Sequence, residues 1–156
     1  MTPEEFSRLT DEFSKRYRMP DGSVYARRLA DPPMAGADPH AGHDMAAAMP
    51  DAPGEATGSM ANAQPIDVLM TAGRWYYLPN LLRLDVGQPY SFKMMALDAA
   101  HGASIQFGNG GRMMRLQPGR LTETELTFSR AGRYLMYCTV YCGQAHDMMQ
   151  ATIEVV

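Results

Sequence analysis

Cysteine is nearly missing from this chain: two residues in 156, with a single tryptophan. Two thiols cannot staple a domain of this size, so a disulfide scaffold is excluded and the pair needs another use. A strong charge of one sign is missing too. Fourteen Lys and Arg stand against seventeen Asp and Glu, net −3, which excludes a strongly basic nucleic-acid binder. No apolar run reaches the roughly 18 residues of a membrane-spanning helix. The first residues, MTPEEFSRLTDEF, carry neither the basic nor the apolar region of a secretory signal. Histidine is scarce: His40, His43, His101 and His146 are the full set. No Ser/His/Asp or paired-carboxylate arrangement emerges, so bond chemistry by this chain alone is not expected.

What is present is unevenly spread. Residues 1–29 read as an N-terminal helical segment. Thr2-Pro3-Glu4-Glu5 is a capping box with proline at the first helical position. Phe6, Leu9, Phe13 and Tyr17 follow at helical spacing, and Met19-Pro20-Asp21-Gly22-Ser23 ends the helix with turn chemistry. Its one-sided apolar stripe must dock on something, and the body of the same chain is the simplest surface.

Residues 30–65 read as a low-complexity linker. Ala, Pro, Gly and Met supply 24 of the 35 residues from 30 to 64, with no Val, Ile, Leu or aromatic among them. Such a stretch cannot bury enough apolar surface to offset its ordering entropy. It holds His40, His43 and Met45, whose imidazole and thioether groups are candidate auxiliary copper ligands.

Residues 66–156 read as all-β. Eight short segments separated by turn residues, at Ile66–Thr71, Leu81–Val86, Tyr90–Leu97, Ala103–Phe107, Arg112–Leu116, Thr122–Ser129, Arg133–Cys138 and Gln150–Val156, suggest a Greek-key sandwich. Acidity belongs to the rest of the chain: residues 1–65 are net −4, residues 66–156 net +1.

The chemistry gathers before the last strand, in Cys138-Thr-Val-Tyr-Cys142-Gly-Gln-Ala-His146-Asp-Met-Met149. The pattern is C-x3-C-x3-H-x2-M. Thiolates and a thioether are soft ligands, imidazole is borderline, and together they favour copper. His101 sits in another turn, Asp98-Ala-Ala-His101-Gly, and loops at one end of a sandwich cluster. A mononuclear blue site built from His101, Cys142, His146 and Met149 would leave Cys138 over. All five side chains suit two copper ions bridged by two sulfurs. Tyr137, Tyr141 and Leu135 are expected to form a buried apolar surround.

Residues Ile66–Val156 resemble the CuA-type cupredoxin domain of haem-copper (cytochrome c) oxidase subunit II. The resemblance rests on the C-x3-C-x3-H-x2-M spacing, on the Asp98-Ala-Ala-His101-Gly turn, on Leu116-Gln-Pro118-Gly119, and on Gly132-Arg-Tyr134 leading into Cys138. It implies a cupredoxin sandwich holding a binuclear copper centre. Cys138 and Cys142 would bridge both ions, and His101 and His146 would bind one each. Met149 and the Val140 carbonyl would be weak ligands. It further implies electrons taken from cytochrome c and passed to a haem in subunit I, at the extracytoplasmic (periplasmic) face of the cytoplasmic membrane. Trp75-Tyr76-Tyr77 lies where that family often has an aromatic patch for electron arrival, with Trp75 and Tyr76 the candidates for entry.

The chain departs from the family in three respects, the first at Val140, which stands between the two cysteines where many members carry an acid that helps hold a second metal, so no magnesium site is expected. Family members normally carry N-terminal membrane helices, so anchoring here would fall to partner subunits or to a segment missing from this sequence. Cytochrome c usually docks on an acidic face, whereas this β domain is net +1. Two alternatives stand beside this reading. One is a copper-handling protein that stores or delivers the metal. The other is a CuA module related to those of nitric or nitrous oxide reductases, which Tyr137-Cys138-Thr139 and Tyr141 also resemble.

Overall fold

The computed structural model describes residues 1–28, 64–107, 110–140, 143–145 and 148–156. Most of the linker thus lies outside the described residues, including His40, His43 and Met45; so do Tyr141, Cys142 and His146.

The first element is the helix α1, Pro3–Tyr17. It begins as the capping box requires. The Thr2 hydroxyl accepts from the Glu5 amide at 3.2 Å, and the Glu5 carboxylate accepts from the Thr2 amide at 2.8 Å. Among the described residues ten strands follow: β1 (Val24–Tyr25), β2 (Ile66–Gly73), β3 (Tyr76–Leu78), β4 (Leu81–Leu84), β5 (Pro89–Ala96), β6 (His101–Phe107), β7 (Gly110–Leu116), β8 (Thr122–Thr127), β9 (Gly132–Tyr137) and β10 (Gln150–Val155).

They form two sheets, ordered β1-β4-β10-β9-β6-β7 and β3-β2-β5-β8. The fold is an all-β sandwich with parallel pairings at β1/β4, β4/β10 and β2/β5. All eight expected strands exist, with ends shifted by a residue or two. Two further strands went unread. β1 is only two residues long and exists through its pairing with β4, a contact no local pattern announces. β3 is the aromatic stretch itself, paired with β2.

Alternation fills the space between the sheets. Val68, Met70 and Ala72 of β2 and Tyr90, Phe92, Met94 and Ala96 of β5 are fully buried, as are Ile105, Met136 and Ile153 of the facing sheet. Met95 falls on the opposite side of β5 yet is also fully buried. The helix accounts for this, since α1 packs against β2 and β5 with Phe6, Thr10 and Phe13 buried beneath it. Burial of Phe6 and Phe13 contributes about 2 kcal/mol each. The stripe therefore docks on its own chain, and the N-terminal segment forms a third layer over the smaller sheet.

Candidate metal centre

Three strand ends meet at one end of the sandwich. His101 opens β6, Cys138 follows β9, and Met149 precedes β10. β6 and β9 pair through Ser104↔Tyr137, so the chain leaving β9 runs beside the start of β6. The Gly102 amide donates to Cys138 Sγ at 3.4 Å, and the Cys138 amide donates to the Met149 carbonyl at 3.3 Å.

Gly102 is needed for this approach. A Cβ there would lie 2.5 Å from Thr139 Oγ1, 2.9 Å from the Thr139 nitrogen and 3.0 Å from the Val140 nitrogen. Backbone atoms cannot step aside as the end of a flexible side chain can. Only glycine lets the segment after Cys138 lie against β6.

His101 is completely buried. Its Nε2 is 2.8 Å from Asp98 Oδ1, an arrangement in which the ring donates to the carboxylate. That assignment leaves Nδ1 with a lone pair, and among the described residues Nδ1 has no hydrogen-bond partner. An unserved buried polar atom costs about 1–3 kcal/mol. A metal ion is the natural acceptor of that lone pair, and a carboxylate on the far ring nitrogen is the usual support of a ligating histidine.

Asp98 is itself held from three sides: by His101, by the Arg74 amide at 2.8 Å and by the Ala99 amide at 2.7 Å. Partial burial pushes its carboxyl up, but the hydrogen bonds from His101, Arg74 and Ala99 outweigh that and hold it below the usual carboxylate range.

Cys138 is buried, and its thiol donates to the Val140 carbonyl at 3.0 Å, so that carbonyl is aimed at the sulfur. Met149 is fully buried, whereas its neighbour Met148 is 80% exposed. A buried imidazole nitrogen, a buried sulfur, a carbonyl oxygen and a buried thioether residue thus gather at one end of the molecule. Their donor set fits a soft or borderline metal and not magnesium or calcium. Cys142 and His146 fall outside the described residues. Among the described residues no group of three or more His, Cys, Asp or Glu converges.

The aromatic stretch borders this site. Trp75 and Tyr76 are each about two-fifths exposed, while Tyr77 is completely buried. The Trp75 ring lies against Gly143, where a Cβ would come within 2.9 Å of its Nε1. The Tyr77 hydroxyl donates to the Gly102 carbonyl.

One expectation fails. Leu135 is not part of a buried surround: it is 43% exposed. Met136 and Cys138 take the inward positions, so strand alternation turns Leu135 outward. Tyr137 is half-buried and accepts from the Gln106 side chain at 3.2 Å. Sequence reasoning assigned no part to Asp98, Gly102 or Gly143, and placed Tyr77 only in the aromatic patch. The Asp-x-x-His-Gly turn signalled the first two, whereas the others depend on contacts from distant parts of the chain.

No known family profile matches the chain. A curated relative, "Cytochrome c oxidase subunit 2" of Thermus thermophilus, is 32% identical over 88 residues, which is 56% of this chain and 64% of the relative. Over those 88 residues the chain is similar to subunit II of cytochrome c oxidase. It spans just under two thirds of that relative's length. A haem-copper terminal oxidase dimer solved by cryo-EM superposes with a TM-score of 0.54 at 24% identity, covering 61% of this chain and 66% of the other. Auracyanin B superposes with a TM-score of 0.50 at 13% identity, covering 62% and 94% respectively. At those identities the two structures speak for the fold alone, and that fold is the cupredoxin sandwich. Among the described residues no helix is long and apolar enough to cross a membrane.

Proposed function

We propose that the chain is an electron-transfer subunit of a haem-copper oxidase, holding a binuclear CuA centre. The observation that carries this reading is His101: a buried imidazole with Nε2 committed to Asp98 and Nδ1 unserved, at the strand ends that also present Cys138 and Met149. In this reading His101, Cys138, the Val140 carbonyl, Cys142, His146 and Met149 would hold two copper ions. Bound copper would supply a one-electron couple. The protein's part is to bind, to exclude water and to keep the ligands in place through redox cycling. Asp98 fixes the His101 tautomer, and the Gly102 amide shares the charge of the Cys138 thiolate.

Cytochrome c is the proposed donor and the catalytic subunit I the acceptor. Trp75, whose ring lies against Gly143 of the metal loop, and the exposed Tyr76 next to it in sequence form the face where electrons arrive. Residues 66–156 form the copper domain, residues 1–29 a segment packed on it, and residues 30–65 a linker. The domain is placed at the extracytoplasmic face of the membrane, attached through partner subunits or an anchor.

The test is electron paramagnetic resonance of the copper-loaded, partly oxidised chain, with copper counted per chain. One electron shared by two copper nuclei gives seven hyperfine lines, and an electron on one nucleus gives four. Seven lines with two coppers per chain are expected. Four lines with one copper overturn the binuclear reading and leave a mononuclear or copper-handling protein.

A further inference from the structure

The turn that joins β2 to β3, together with β3 itself, touches the candidate centre at three separate places. The Arg74 amide donates to Asp98, which holds His101. The Trp75 ring lies against Gly143 of the metal loop. The buried Tyr77 hydroxyl donates to the carbonyl of Gly102, whose own amide donates to Cys138 Sγ. This hairpin supplies none of the proposed ligands, yet it braces the imidazole, the loop and the sulfur in turn.

From this geometry we infer that Tyr77 is a positioning residue for the copper centre. Its hydroxyl holds the carbonyl of the Gly102–Ala103 peptide, and so restrains the adjoining His101–Gly102 peptide, whose N–H caps Cys138. A phenol buried in a core would otherwise need a partner of its own, and here that partner is a carbonyl one residue from a metal ligand. A hydrogen bond to a thiolate stabilises its charge, so tilting that amide changes how much charge the sulfur gives to the metal. The aromatic hairpin is then part of the ligand scaffold as well as a surface. The inference rests on the copper reading above.

Tyr77→Phe keeps the ring and removes only the hydroxyl. Copper affinity of the full chain is measured by competition with a chelator, together with the sulfur-to-copper absorption bands and the unfolding midpoint of the copper-free chain. Expected are roughly tenfold weaker copper binding, within the range for lost outer-shell partners, and displaced sulfur-to-copper bands. Tyr17→Phe, in α1, should change neither. Parent-like affinity and bands in Tyr77→Phe overturn the inference while the copper reading stands. A parent chain that takes up no copper overturns both. A measurement on the unaltered copper-free chain guards against loss of fold in the variant. The Tyr77 hydroxyl proton should exchange slowly with solvent and show a nuclear Overhauser contact to Gly102. Exchange as fast as that of Tyr76 overturns the inference.

Discussion

The two ends of the sandwich handle buried polar groups differently. At the end away from the candidate centre, polar side chains serve one another. Tyr25 donates to the Asp85 carboxylate. The Tyr90 hydroxyl accepts from the Asp85 amide at 2.7 Å and donates to the Ala26 carbonyl at 3.2 Å. Arg83 reaches Asp21 at 3.1 Å and Glu154 at 3.3 Å. One atom there lacks a partner, Arg83 Nε, on a guanidinium with donors to spare. At the metal end the orphan is His101 Nδ1, on a ring with only two nitrogens, one already committed. Both ends carry an unserved nitrogen, but only one is a lone pair, fully buried and held in a fixed direction. The difference separates a structural network from a ligand site: the first is closed on itself, the second ends on an atom that needs something from outside.

The contrast breaks most completely at Cys138. Cys138→Ser should lower copper from two to at most one per chain and turn seven hyperfine lines into four. If two coppers and the parent spectrum survive, the bridging role is wrong. Next comes Gly102→Ala, whose new methyl would meet the Thr139 and Val140 backbone. A loss of about 1–3 kcal/mol in urea unfolding is expected from overpacking, accompanied by lost copper uptake. Unchanged unfolding would mean that the loop yields freely. Asp98→Asn sharpens the comparison. A neutral amide supports the imidazole less well than a carboxylate, so copper binding should weaken roughly tenfold with little change in the urea midpoint. Equal affinity would remove Asp98 from the site.

The smallest effect is expected at the other end. Tyr90→Phe deletes two hydrogen bonds and should cost about 1–2 kcal/mol while copper binding stays as in the parent. The same network predicts an alkaline limit. The hydrogen bond to Asp85, then burial, raise the Tyr25 phenol above its usual value of 10.0; burial, then the charge of Asp85, raise that of Tyr90. The folded state thus holds these protons more tightly than the unfolded chain does. Their contribution is complete below pH 10.0 and declines as pH rises past it. Unfolding midpoints measured across that range should fall less steeply in Tyr90→Phe.

How much of this was legible depends on whether the information is local. The Thr2-Pro3-Glu4-Glu5 cap and the Phe6/Phe13 stripe are written within a few residues, and the helix forms where they say. The alternating strands around Leu82–Leu84 and Ala151–Val155 are legible for the same reason. β1 is not, because two residues become a strand only when β4 arrives from almost sixty positions away. Leu135 was misjudged because apolar character was read without the phase that Met136 and Cys138 impose. At the candidate site, ligand types could be read from spacing. The tautomer of His101, the close approach at Gly102 and the reach of Tyr77 arise only when β3, β6 and the segment after β9 are side by side.

The Arg28 side chain donates to the carbonyl of Gln64, joining the two borders of the stretch between them. Residues 28 and 64 are therefore neighbours in space, however many positions separate them in sequence. The entropy of closing a chain between two such points changes by only about 0.6 kcal/mol for each doubling of its length. The number of residues between these two points is therefore an almost independent variable, open to insertion, trimming or replacement while α1, β1 and the sandwich keep their mutual fit.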